Sequence, residues 1–349
     1  MNPREIIQAC IDGKPHPRVP VAQHNFPFVV RWAGLTMKQY REDPVRAARA
    51  LADCADEFGY DCIIIDFDTC SLAEAMGAEV TYPGNEPARI LKHPLEDLER
   101  IGEFEIPDPK KDGRLPLWLE TTRELRRIVG DSRAIMARAD QGPFGLLFAL
   151  RGHEECMIDV IEGDPELLDE ALVKCTEAGV LFAQAQLEAG ADLTSIGDSA
   201  AGESLISPKD FHRLAQPYEK RYKEALGNGC LSIHICGKTN NILEGMLETG
   251  ADVLELDHWN DFVRSLEIAD SRCSLWGNLD PSGVLSLGTP ETVFEASRNV
   301  LEAGKRRTWR FALCPGCTVN ADVPPENLRA MTQAALEWGC YDEEPNVAE

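Results

Sequence analysis

The sequence predicts a (β/α)8 TIM barrel, an α/β fold of one domain spanning residues 1–349, and three observations carry that prediction. Short β-type runs alternate with helical segments along almost the whole chain. There are eight such runs, the number a closed barrel needs. Polar residues recur at the C-terminal end of nearly every one: Asn25, Asp66 and Asp68, Asp140, Asp198, His234 and Cys236, Asp257, Asn278 and Asp280, and Cys317. In a closed barrel these ends converge on one mouth, where the active sites of the fold lie. Capping of helices explains one or two such residues, but not eight strand ends behaving alike.

In chain order the expected strands are Val19–Asn25, Cys62–Asp68, Ala134–Asp140, Asp192–Asp198, Leu231–Gly237, Asp252–His258, Cys273–Asp280 and Trp309–Cys317. The helices between them carry start signals. Asp43-Pro44, Asp164-Pro165, Ser207-Pro208 and Thr289-Pro290 each set an N-cap residue before a proline at the first helical position. Gly190, Gly250, Gly304 and Gly339 stand where helices are expected to stop. The stretch Ser71–Arg133 is longer than one connection needs and predicts an inserted excursion after strand two, its turns marked by prolines 83, 87, 94, 107, 109 and 116. An open doubly wound sheet is the competing architecture. It would place a glycine-rich phosphate loop after the first strand, and none is there.

With 44% hydrophobic and 27% charged residues the chain has ample material for a core. No apolar run approaches the roughly 18 residues of a membrane span. The opening Met1-Asn2-Pro3-Arg4-Glu5 lacks the basic and then apolar stretch of a signal peptide, so the cytoplasm is the expected location. Net charge is −24, from 59 acidic against 35 basic residues. That balance repels phosphates and anionic lipids, which excludes nucleic acid and membrane surfaces as partners. In a large chain without an export signal the 12 cysteines read as reduced thiols, with a minority free for metal binding or catalysis.

One constellation stands out. In Leu231-Ser232-Ile233-His234-Ile235-Cys236-Gly237, His234 and Cys236 are two apart on a strand and share a face, so both point to one centre. Imidazole and thiolate are preferred zinc ligands, and three protein ligands with an open position define a catalytic zinc site. The third ligand must come from another strand end. Phe311-Ala312-Leu313-Cys314-Pro315-Gly316-Cys317 supplies two candidates. If Cys314 and Cys317 both bound, the tetrahedron would close and the zinc would be structural. A redox pair is the other reading of Cys314 and Cys317, but Cys317 does not open a helix as in thioredoxin-like motifs.

The chain also resembles the uroporphyrinogen decarboxylase superfamily over nearly its full length. The likeness rests on Arg31-Trp32-Ala33-Gly34, on Asp68 through Ala75-Met76-Gly77, on Gly142-Pro143-Phe144 and on Ile206-Ser207-Pro208. It rests further on Gly277-Asn278-Leu279-Asp280-Pro281, specific to this group, and on Gly316-Cys317 followed by Pro325-Glu326-Asn327-Leu328. The resemblance independently implies a (β/α)8 barrel. Within the superfamily the chain departs from true decarboxylases: Leu35 stands where a second arginine is expected after Arg31, Ala149 where an active-site tyrosine is, and the Cys-Pro-Gly-Cys segment where a histidine is. His234, Cys236 and the distant Cys317 are similar to the zinc motif of corrinoid-linked methyltransferases.

That resemblance implies zinc on His234, Cys236 and Cys317, with Cys314 in a supporting role. It implies methyl transfer between a small molecule and the cobalt of a corrinoid, such as methylcobalamin, carried by a partner protein. Asp198 and Asp257 are the candidate catalytic carboxylates, to orient substrate or move a proton. Asp257 and Glu255 are also candidates for a fourth ligand or for a hydrogen bond to His234. His24, Asn25, Asp68, Asp140 and Asn278, at strand ends, are expected to line the substrate pocket, with Asp68 matching the decarboxylase's catalytic aspartate. His93, His153 and His212 are expected at the surface. The segment Phe26-Pro27-Phe28 and Trp32 suggests an aromatic wall, which favours a methyl ether such as a methoxylated aromatic as methyl donor. A methylcobalamin:thiol transferase, and a metal-free uroporphyrinogen decarboxylase, are the alternatives.

Overall fold

The computed structural model describes residues 1–341 and 343–345. Eight parallel strands run β1 Ala22–Gln23, β2 Cys62–Ile65, β3 Ala134–Gln141, β4 Leu193–Gly197, β5 Leu231–Ile235, β6 Val253–Leu256, β7 Ser274–Leu279 and β8 Phe311–Pro315, each paired with its sequence neighbour. A parallel bridge between Val21 and Leu313, with the Leu313 amide donating to the Pro20 carbonyl at 2.9 Å, joins the last strand to the first and closes the barrel. The (β/α)8 expectation holds, strand for strand.

Alternation along each strand sorts the side chains into two cores. Outward-facing Ile63, Ile65, Ile135, Ile196, Ile233 and Leu254 pack beneath the outer helices. Inward-facing Ala22, Cys62, Ile64, Met136, Leu193, Val253, Trp276 and Ala312 fill the barrel, and Ile7, Cys10 and Ile11 of the helix Pro3–Asp12 close its floor. Above this apolar layer the inward positions turn polar: Arg138, Ser195, Ser232 and Glu255, all buried. The next step towards the mouth is His234.

The cap signals work as read. Asp43, Asp164, Ser207 and Thr289 each accept a hydrogen bond from the first turn of the helix that follows. Gly304 departs from expectation. The helix Pro290–Lys305 runs through it, and the glycine is needed because a Cβ there would lie 2.2 Å from the Phe311 ring. The excursion after β2 contains an antiparallel hairpin, Glu79–Thr81 with Arg89–Lys92, and the helix Leu115–Val129. No helix among the described residues is long and apolar enough to cross a membrane.

Candidate metal centre and its pocket

His234 is the last inward-facing residue of β5, one before its end at Ile235, and Cys236 is the first residue beyond the strand. Cys317 lies just past β8. The His234 Nε2 to Cys236 Sγ distance is 3.2 Å, Cys236 Sγ to Cys317 Sγ is 3.7 Å, and the three donor atoms lie within 4.8 Å of one another. Tetrahedral zinc with Zn–S near 2.3 Å and Zn–N near 2.0 Å sets its donors about 3.8 Å (S to S) and about 3.5 Å (N to S) apart. The donor set fits a zinc ion by type and by spacing. His234 is buried while both cysteines are part-exposed, so the cluster looks out into the mouth.

The surroundings hold Cys236 in its ligand form, while His234 and Cys317 keep their protons more tightly than a free side chain does. His234 Nδ1 lies 3.2 Å from the Glu255 carbonyl oxygen; an N–H donated there leaves the Nε2 lone pair for a metal. The Cys317 thiol, then His234 and the Ser199 hydroxyl, hold Cys236 as a thiolate, well below the usual thiol range. Bonding to Cys236 and burial push Cys317 up. Burial opposes charge on His234, but the neighbouring Cys236 thiolate raises it to about 9.

Glu255, a candidate fourth ligand, points down the barrel. Its Oε1 accepts from Ser195 and Ser232 at 2.7 Å each and from Arg138 at 3.4 Å. Burial opposes its charge, yet Arg138, His234 and His24 hold its pKa below the ordinary value. Its contribution to the centre is the backbone carbonyl under His234. Asp257 lies at the edge of the cluster, where its negative charge helps raise Cys317, and its Oδ2 accepts from the Gly237 amide at 2.7 Å. Cys314 faces into the apolar barrel interior, and burial pushes its thiol far up; it is not one of the three clustered donors.

The remaining candidates separate. His24 Nε2 pairs with Asp66 Oδ2 at 2.7 Å, and its Nδ1 lies 3.1 Å from the hydroxyl of Thr318, the residue after Cys317. Asn278 donates to the Asp257 and Asn260 carbonyls. Asp68 is claimed by Arg114 at 2.6 Å and by Ser71 at 2.9 Å. Asp140 accepts from the Leu72 amide at 2.7 Å, and burial, reinforced by the charge of Asp68, pushes it up to about 8. Asn25 turns into the outer core and donates to Tyr60. Asp198, expected at the mouth, is fully buried: its carboxylate accepts from the Phe144 and Gly145 amides at 3.2 and 2.6 Å, at the start of the helix Pro143–Arg151. The expected aromatic wall is core as well, with Phe28 and Trp32 edge-on to Phe58 and Phe26 stacked on Tyr40.

What does open beside the cluster is a cavity of about 300 Å³, its lining including Ile90, His93, Gln141, Phe148, Ala149 and Leu205. Ser199, 3.1 Å from Cys236 Sγ, is part of that lining and joins the cavity to the metal centre. His153, its ring edge-on to Phe148, completes the wall, and among the described residues no lysine or arginine contributes to it. His153 is exposed, as the sequence leads one to expect, whereas His93 is half-buried. Nothing local marks His93: its Nδ1 meets the Ala149 carbonyl, 56 residues away, at 2.8 Å. For Ser199 the sequence offers only its place as the polar residue after Asp198.

The chain is similar to proteins of two named activities. The chain is 29% identical over 286 residues to methylcobamide:CoM methyltransferase MtbA of Methanosarcina acetivorans, covering 80% of each chain. It is also 29% identical over 342 residues to uroporphyrinogen decarboxylase of Syntrophotalea carbinolica, covering 93% of this chain and 94% of that one. Among solved structures, a methyltransferase from Methanosarcina mazei superposes with a TM-score of 0.89 at 26% identity, covering 97% of this chain and 99% of the other. A family model described as uroporphyrinogen decarboxylase (URO-D) matches residues 2–338, so the chain belongs to the URO-D family.

Proposed function

We propose that this protein is a zinc-dependent methyltransferase that moves a methyl group between a small methyl ether, such as a methoxylated aromatic, and the cobalt of a corrinoid carried by a partner protein. The observation that carries the proposal is the meeting of His234, Cys236 and Cys317 at the barrel mouth, with Ser199 standing between Cys236 and the cavity. A porphyrin decarboxylase has no need of such a donor set. The relatives named as methylcobamide:CoM methyltransferases support methyl transfer with a corrinoid.

Zinc bound by the three donors would supply Lewis acidity, polarising the heteroatom that carries the methyl group. The chain does the rest. Glu255 holds the His234 ring through its backbone, and Ile90, Phe148 and Leu205 give the substrate an apolar wall that excludes water. His93 and His153 offer imidazoles at its rim. A wall with no lysine or arginine suits a neutral ether better than an anionic substrate. The thiol substrate in the names of the relatives supports a second reading, transfer between methylcobalamin and a small thiol.

The test has two stages. The purified protein is expected to hold about one zinc per chain, and Cys236→Ala or His234→Ala to hold little. Equal zinc in wild type and both variants, or none in wild type, would sink the proposal. Cobalamin absorbance then reads the reaction. Consumption of Co(I) cobalamin by a methoxylated arene in the presence of the protein supports the ether reading. Loss of methylcobalamin only with an added thiol moves the assignment to the second reading.

A further inference from the structure

The Ser199 hydroxyl stands 3.1 Å from Cys236 Sγ, within donating reach of a sulfur, while its residue also lines the cavity. Its position is built rather than incidental. Ser199 opens a single turn, Ser199–Ala201, directly after β4. The preceding residue anchors that turn from both sides: the Asp198 amide donates to the His234 carbonyl at 2.8 Å, and its carboxylate is held by the Phe144 and Gly145 amides. At the far end of the turn Gly202 packs against the strand end that carries Cys236; a Cβ there would lie 2.9 Å from the Cys236 carbonyl oxygen. Asp198 and Gly202 thus press the turn onto the ligand.

We propose that Ser199 is a positioning residue that tunes the metal centre through Cys236, its O–H donating to the ligand sulfur at the border between metal and substrate. The inference rests on the zinc centre proposed above. A hydrogen bond to a thiolate draws electron density away from the sulfur, so the sulfur donates less to the metal and the metal becomes a stronger acid towards the atom in its open position. The hydroxyl also helps hold the Cys236 sulfur where His234 and Cys317 meet it, an ordering whose loss costs metal affinity even though the unbonded sulfur is the stronger donor.

Cobalt(II) substitution makes the effect visible, because thiolate-to-cobalt charge-transfer bands respond to the donor strength of the sulfur. In the cobalt-loaded full chain, Ser199→Ala is expected to shift these bands to longer wavelength and to weaken zinc and cobalt binding about tenfold in chelator competition. Ser199→Thr, which keeps the hydroxyl, is expected to stay close to wild type in both. Unchanged bands and affinity in Ser199→Ala overturn the proposal while leaving the zinc centre standing, as does a Ser199→Thr variant that behaves like the alanine. A wild-type chain that takes up no cobalt with thiolate bands overturns this inference together with the reading it rests on.

Discussion

At the scale of single residues, the barrel places more charge in its interior than its exposed surface would suggest. Arg138, Glu255 and Asp66 are all buried, and Arg138 Nη1 also bonds to the Ser195 hydroxyl at 2.6 Å. Such a group is stable only as a satisfied whole, since removing one partner strands the others without solvent. Asp140, buried nearby without a positive partner in bonding distance, titrates in the neutral range. Its folded pKa lies at about 8, mainly through burial and then through Asp68, against about 4 in the unfolded chain. Between those values the unfolded state is ionised while the folded state keeps its proton. Stability therefore falls as pH rises from about 4 to about 8, and the loss is complete above that window. Asp140→Asn carries no such proton. Its stability relative to wild type is expected to improve by on the order of 2–5 kcal/mol between pH 5 and pH 8 in urea titrations. Parallel pH profiles for the two proteins would refute this.

At the scale of elements, the sequence was most legible where a periodic pattern met a local signal. Leu231, Ile233 and Ile235 face out while Ser232 and His234 face in, and this alternation alone set the imidazole on the inner face with Cys236 next in line. Strand ends were less legible. β1 was expected over seven residues and pairs over two, because Pro20 has no amide to donate and Asn25 already opens the helix Phe26–Trp32. Asp140 falls at an inward position by alternation. The register of β3 against β4 breaks between Arg138 and Gln141, however, and Asp140 sits at φ 64°, which turns its carboxylate to the Leu72 amide. The sequence places Asp198 at the mouth because a polar strand end looks the same whether it faces substrate or a neighbouring helix. Its bonds to Phe144 and Gly145 span more than fifty residues and leave no local pattern. They predict that Asp198→Ala loses about 1–2 kcal/mol, the usual value of an N-terminal helix contact. Faster amide exchange is expected to concentrate in the helix Pro143–Arg151, measured by hydrogen exchange with mass spectrometry. An evenly spread effect, or none, would contradict that role.

At the scale of the whole molecule, the barrel is layered along its axis, and each layer has its own task. The helix Pro3–Asp12 is the floor, capped by Asn2 and Glu5 and ended by Gly13 in the left-handed region. The Arg310 guanidinium bonds to its last carbonyls, Ile11 and Asp12, and the Cys10 thiol lies 3.4 Å from the Ser274 hydroxyl. Over the floor lies the apolar layer, then the layer of Arg138 and Glu255, then the donor cluster. A chain with a net charge of −24 gains nothing from overall electrostatics in holding itself compact, so this packed axis has to supply stability. Ile7, only 1% exposed, is the test of the floor. Ile7→Ala is expected to cost about 2–5 kcal/mol in urea unfolding, because it opens a cavity where helix and strands both converge. The polar layer stands between Ile7 and His234, so zinc content and zinc affinity of the folded variant are expected to match wild type. A variant that loses metal while keeping its stability would mean that the floor acts on the site directly, and that the layers are not independent.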